Sequence, residues 1–155
     1  MASGLGHLQK GHAIVFADLD QDGDQDVFEQ MGGAKRVDAF RDALYDNPGF
    51  GNHWVDVKLT GTASNRSAIG ARIRVDFLED GTKRSVFRHV GSGGSFGANP
   101  LCQHLGIGRA TRIETLEIFW PTTGITQVFE DLPTNRVLQI TEGSETVTER
   151  RLLPF

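Results

Sequence analysis

Residues 54–60 read WVDVKLT and residues 73–77 read IRVDF. In the first segment Val55, Val57 and Leu59 interleave with Asp56, Lys58 and Thr60; in the second Ile73, Val75 and Phe77 interleave with Arg74 and Asp76. A period of two sends successive side chains to opposite faces of an extended chain, so each segment reads as a strand with one face in a core and the other in water. Asp80 and Gly81 stand between the second segment and a further strand over 84–90, and Asp-Gly favours the positive dihedrals of a two-residue hairpin turn. Residues 113–120 and 125–129 pair across PTTG at 121–124, and 137–141 supply a last strand. Ile113 and Leu116 are out of phase, which predicts a bulge between them. The expected fold is all-β, an antiparallel β-sandwich of jelly-roll-like kind.

Composition agrees. The chain has 155 residues, 38% of them hydrophobic, which suffices for one ordinary domain with a core. Its 19 glycines and 10 phenylalanines suit short, anchored segments joined by tight turns. With 16 Lys and Arg against 20 Asp and Glu the net charge is -4, which argues against nucleic acid or an acidic membrane surface as partner. No apolar run approaches the roughly 20 residues a membrane span needs. The N-terminal residues show no signal peptide. Cys102 has no second cysteine to pair with, so its expected role is that of a small apolar residue.

Upstream of residue 54, AIVFA at 13–17 is a short apolar run, followed by aspartates at 18, 20, 22, 24 and 26 around Gly23, and then by Val27 and Phe28. The order is strand, acidic loop, strand. Carboxylates this close repel one another unless a cation sits among them, and calcium accepts six to eight hard oxygens at irregular geometry. Asp18, Asp20, Asp22 and Asp26 are expected to supply side-chain oxygens and Asp24 its carbonyl, with Gly23 allowing the sharp turn. Glu29 falls at the twelfth position of an EF-hand loop, but the β-branched and aromatic entering segment and the exit into Gly32 and Gly33 oppose flanking helices. Residues 36–47 carry Val37, Phe40 and Leu44 at helical spacing, a helix that Pro48 and Gly49 would stop.

The stretch FADLDQDGDQDVF at 16–28 resembles the calcium loop of FG-GAP repeats, the blade units of integrin-type β-propellers. NRSAIGA at 65–71, GSGGSF at 91–96, HLGIG at 104–108, EIFWP at 117–121 with Gly124, and Asn135-Arg136 leading to Leu138 and Ile140 are together similar to the ASPIC/UnbV domain of the cartilage acidic protein family. The resemblance covers most of residues 11–143 and implies a calcium-binding, secreted or surface-exposed protein, extracellular or periplasmic, in which a propeller precedes the ASPIC/UnbV module. Only one calcium loop is present here, and one repeat cannot close a propeller. The expectation is a C-terminal part, whose partners would include upstream blades, or a short relative. Residues 43–47 then resemble the strand that opens a following blade, which favours an extended conformation over the helix. The expected division is a calcium-loop hairpin with its connector over 1–50, a sandwich over 51–143, and a frayed polar tail over 144–155.

GGSFG at 93–97 satisfies G-x-S-x-G, yet no helix can follow it before Pro100, so an enzyme built from Ser92, Ser95, His89 and His104 around the 91–97 loop is the alternative to a non-catalytic binding module. The five histidines, at 7, 12, 53, 89 and 104, lack the close spacing of zinc ligands. A glycan-binding sandwich is a second alternative: Trp54 and Trp120 could stack on a sugar, although alternating neighbours place both in the core. Asn65-Arg66-Ser67 is a glycosylation sequon, and Arg66 is the candidate for an exposed specific contact with an unidentified protein or glycan. The hairpin needs cover, expected from its own sandwich through Phe16, Phe28 and Phe50 in a monomer, with a dimer as runner-up.

Overall fold

The computed structural model describes residues 5–6, 10–33, 36–37, 39–93 and 100–152. Strands β1 (Gly11–Ala17), β2 (Asp26–Met31) and β3 (Ala43–Tyr45) form a three-stranded sheet in the order β1-β2-β3. The remaining strands are β4 (His53–Thr60), β5 (Arg72–Glu79), β6 (Thr82–His89), β7 (Gln103–Gly108), β8 (Arg112–Trp120), β9 (Ile125–Pro133), β10 (Val137–Thr141) and β11 (Val147–Arg150). They build two four-stranded sheets, β11-β10-β4-β7 and β6-β5-β8-β9. The inward residues of β4, β7 and β10 meet those of β5 and β8, with Val55, Val57, Leu105, Ile107, Leu138 and Ile140 facing Ile73, Val75, Leu116, Ile118 and Trp120. This is the expected sandwich, and the period-two segments supply its centre.

The Asp80-Gly81 turn is as read: Glu79 pairs with Thr82, and φ is 50° at Asp80 and 77° at Gly81. Other elements depart from expectation. β10 runs parallel to β4, with Leu138 opposite Val57 and Ile140 opposite Leu59. A parallel pair needs a long crossover; here β5–β9 all lie between the two strands, and the chain visits the first sheet once on the way, at β7 on the other side of β4. Between β8 and β9 the pairing does not shift. Ile113 opposes Leu132 and Leu116 opposes Phe129 in one register, while Glu114 and Asp131 both drop out of it. One residue from each strand is skipped, so both strands change face together and the out-of-phase apolar residues all reach the core. Asp131 makes the switch at φ 57°, held by the Arg112 guanidinium at 2.5 Å from its carboxylate and 2.9 Å from its carbonyl.

The segment after residue 36 is extended where the blade resemblance favoured it, with β3 over Ala43–Tyr45, and its described residues form no helix. Leu44 lies in β3 opposite Phe28, and Val37 is 89% exposed. Nor is the segment after Gly143 frayed throughout: β11 pairs antiparallel with β10, and Val147 packs on the core. Of the three phenylalanines expected to hold the hairpin, Phe16 borders a cavity with His89, Cys102 and His104 of the sandwich, while Phe28 and Phe50 are 36% and 81% exposed. The close approach lies instead between Gly23 at the loop tip and the indole of Trp54 at the start of β4.

Candidate metal site and its surroundings

The acidic loop joins β1 to β2 where Ala17 opposes Asp26. Its backbone curls on its own carboxylates. Asp20 Oδ1 accepts the Asp22 amide at 3.2 Å, Asp22 Oδ1 accepts the Asp24 amide at 2.9 Å, and Asp18 Oδ2 accepts the Gly23 amide at 3.1 Å. Left-handed residues at Gln21 (φ 63°) and Gly23 (φ 102°) close the curl. Asp18, Asp20 and Asp22 thereby present carboxylate oxygens all within 4.8 Å of one another.

The other two aspartates hold the loop in place. Asp26 is buried, its Oδ2 accepting the Leu19 amide at 3.0 Å and its Oδ1 the Asn47 amide at 2.9 Å, so it ties the loop to the connector. The Asp24 carboxylate is turned against Gly49, where an added Cβ would stand 2.5 Å from Oδ2. Strands flank the loop on both sides, and Glu29 lies in β2 opposite Ile14, so the helix pair of an EF-hand is absent among the described residues.

Two features show that the triplet suits a cation. Asp18 Oδ1 is a buried oxygen with no hydrogen-bond partner among the described residues. Burial pushes the Asp18 carboxyl above its usual range, against the Gly23 and Gln21 amides that pull it down, and Asp22 and Asp56 add to the rise. Burial, then Asp22, does the same to Asp24. An acid whose pKa is raised on folding favours its protonated form and opposes folding at neutral pH. A divalent ion reverses that sign by supplying positive charge, and calcium matches the all-oxygen donor set.

Beneath the loop is a group that spacing did not reveal. The β4–β7 register places Asp56 opposite His104, whose Nδ1 lies 2.8 Å from Asp56 Oδ1, and the imidazole stacks on Trp54 at 5.8 Å between centroids. The two residues are 48 positions apart, and only the strand pairing joins them. His89, Cys102 and His104 border one cavity of about 350 Å³. Burial, reinforced by Asp56, pushes the Cys102 thiol up to about 12, so the sulfur is protonated at neutral pH. Ser92 is not hydrogen-bonded to either histidine, and Ser95 and most of the 91–97 loop lie outside the described residues. Trp120 is wholly buried and Trp54 is 7% exposed, so neither ring is open for stacking on a sugar. Arg66 is exposed in the 61–70 loop, as read, and its neighbour Asn65 is bound through its amide to both backbone groups of Ile69.

Residues 61–147, more than half of the chain, match the family model described as ASPIC and UnbV. The match begins after β4 and takes in β5–β10, so the acidic loop lies outside it. No curated protein matches the chain.

Proposed function

The chain belongs to the ASPIC and UnbV family, and from that premise we propose that it is a non-catalytic, calcium-stabilised binding module of a secreted or surface protein, serving adhesion or ligand binding. The observation that carries the calcium reading is the convergence of Asp18, Asp20 and Asp22 around a buried oxygen without a partner. The likeness of residues 16–28 to the FG-GAP loop supports it, as does the three-stranded sheet. Ile14 and Phe16 on one face and Phe28 and Leu44 on the other are all substantially exposed, as suits a blade covered on both sides by neighbours.

Calcium bound to the folded loop and not to the unfolded chain stabilises the protein by about 2.7 kcal/mol at a free concentration a hundredfold above Kd. Melting in calcium and in chelator reads this directly, and Asp20→Ala with Asp22→Ala is expected to remove most of the difference. Equal melting temperatures in the two buffers would overturn the calcium reading. The non-catalytic half has its own check. With Cys102 held as a thiol and no serine bonded to a histidine among the described residues, reagents selective for activated serine or cysteine are expected to leave the chain unlabelled. Stoichiometric labelling of Ser95 or Cys102 would instead favour an enzyme.

A further inference from the structure

A cleft of about 500 Å³ lies between the acidic loop and the sandwich, and its walls carry opposite charge. Asp22 and Asp24 line one side; Arg136, at the turn into β10, and Arg151, just past β11, line the other. The charges do not neutralise each other across the gap: among the described residues no ion pair joins either arginine to either aspartate. Arg136 spends Nη1 on the Asn135 carbonyl at 2.7 Å, and Arg151 is exposed at its strand end. The floor adds neutral polar groups. Asn135 Oδ1 accepts the Trp54 amide at 3.3 Å, so its Nδ2 is the donor toward His53 Nδ1 at 2.9 Å, which leaves the His53 ring proton on Nε2 as a donor. Asn52, exposed beside it, offers both a donor and an acceptor.

We propose that this cleft is a saccharide subsite, and that the sugar it takes is a uronate. The volume falls within the range of small-ligand cavities. Donors and acceptors present together, as at Asn52 and Gln21, suit hydroxyl groups, each of which is both. The indole of Trp54 is covered by His104 and by Gly23, so stacking contributes little and a charged handle must supply the discrimination. Guanidinium groups bind a carboxylate in paired, charge-assisted hydrogen bonds. The charge assignment rests on the calcium reading, because an ion among Asp18, Asp20 and Asp22 takes up the charge of Asp22 and leaves the arginine side dominant.

The test is calorimetric titration of the whole chain with the methyl glycosides of glucuronic acid and of glucose, which differ in the carboxylate alone. In calcium the uronate is expected to bind at least about tenfold more tightly than the glucoside, and Arg151→Gln is expected to abolish that preference without lowering the melting temperature. Arg66→Gln, an exposed arginine outside the cleft, is expected to leave it intact. Equal affinity for the two glycosides, no binding up to about 10 mM uronate, or tighter binding of free glycine, whose opposite charges also match the two walls, would each overturn the proposal. Calcium uptake is measured separately on saccharide-free protein: its absence sinks the calcium reading and with it the charge assignment, whereas calcium uptake without a uronate preference sinks the subsite alone. Uronate binding in chelator that equals binding in calcium keeps the subsite and removes the linkage.

Discussion

Glu142→Ala is expected to cost about 3–5 kcal/mol, because it leaves several neutral donors around a buried position unpaired, at about 1–3 kcal/mol for each that stays out of water. Glu142 is 5% exposed, directly after β10, and its carboxylate gathers the loop that follows β4. Oε2 accepts the amides of Thr62, Ala63 and Ser64 at 2.9, 2.9 and 2.7 Å; Oε1 accepts the hydroxyls of Ser64 at 2.7 Å and Thr123 at 3.0 Å. Burial alone pushes this carboxyl up, but the bonds from Ser64, Thr62 and Thr123 outweigh it and bring the pKa down to about 2. The folded value lies below the ordinary 4.5, so the stabilisation is complete above pH 4.5 and is lost as pH falls toward 2. For a chain of this size the alanine variant should melt roughly 10 °C lower. Glu142→Gln, which keeps the shape, should lose less and should flatten the acid limb between pH 4.5 and 2. Parallel acid limbs for wild type and Glu142→Gln would show that Glu142 does not carry this pH dependence.

The sandwich was readable because its evidence is local. Val55, Val57 and Leu59 report a buried face by their spacing, and Asp80-Gly81 reports a turn by its dihedral preference. The aspartate triplet was readable for the same reason, since alternate residues of one curled loop need no distant partner to meet. Spacing fails where neighbours come from far along the chain. It says which face is buried and nothing about which strand lies alongside, so the parallel β4–β10 pair and the Asp56–His104 contact carry no signal. Glu142 reads as one more acid in a polar stretch until the 61–64 loop folds onto it. The helical spacing over 36–47, which the extended reading overrode, misleads for a different reason. Val37, Phe40 and Leu44 are spaced as a helical stripe, but they are 89%, 48% and 60% exposed, and periodicity predicts structure only where burial has imposed it.

Gly23→Ala is expected to lift the acidic loop off the sandwich. A Cβ at Gly23 would stand 1.8 Å from Trp54 Nε1 and 2.4 Å from Cε2, and at φ 102° an L residue is strained before any contact is counted. The indole cannot yield easily, being stacked on His104, which is itself fixed to Asp56. Relief must come from the loop, at an expected cost of about 2–4 kcal/mol from overpacking and backbone strain together. Moving the loop also carries the Gly23 amide away from Asp18 Oδ2, so calcium affinity should fall with stability. Tryptophan emission reports the event. Trp120 is wholly buried and bonded to Gln127 in the second sheet, so a red shift on substitution comes from Trp54 entering water. Gly49→Ala is the contrast: its φ is also positive, at 70°, but its Cβ meets only the Asp24 carboxylate, the end of a side chain that can rotate away. It should cost about 1–2 kcal/mol and leave the emission unchanged. If Gly23→Ala melts and emits like the wild type while Gly49→Ala does not, the loop is not seated on Trp54 and the coupling between the aspartate cluster and the sandwich is refuted.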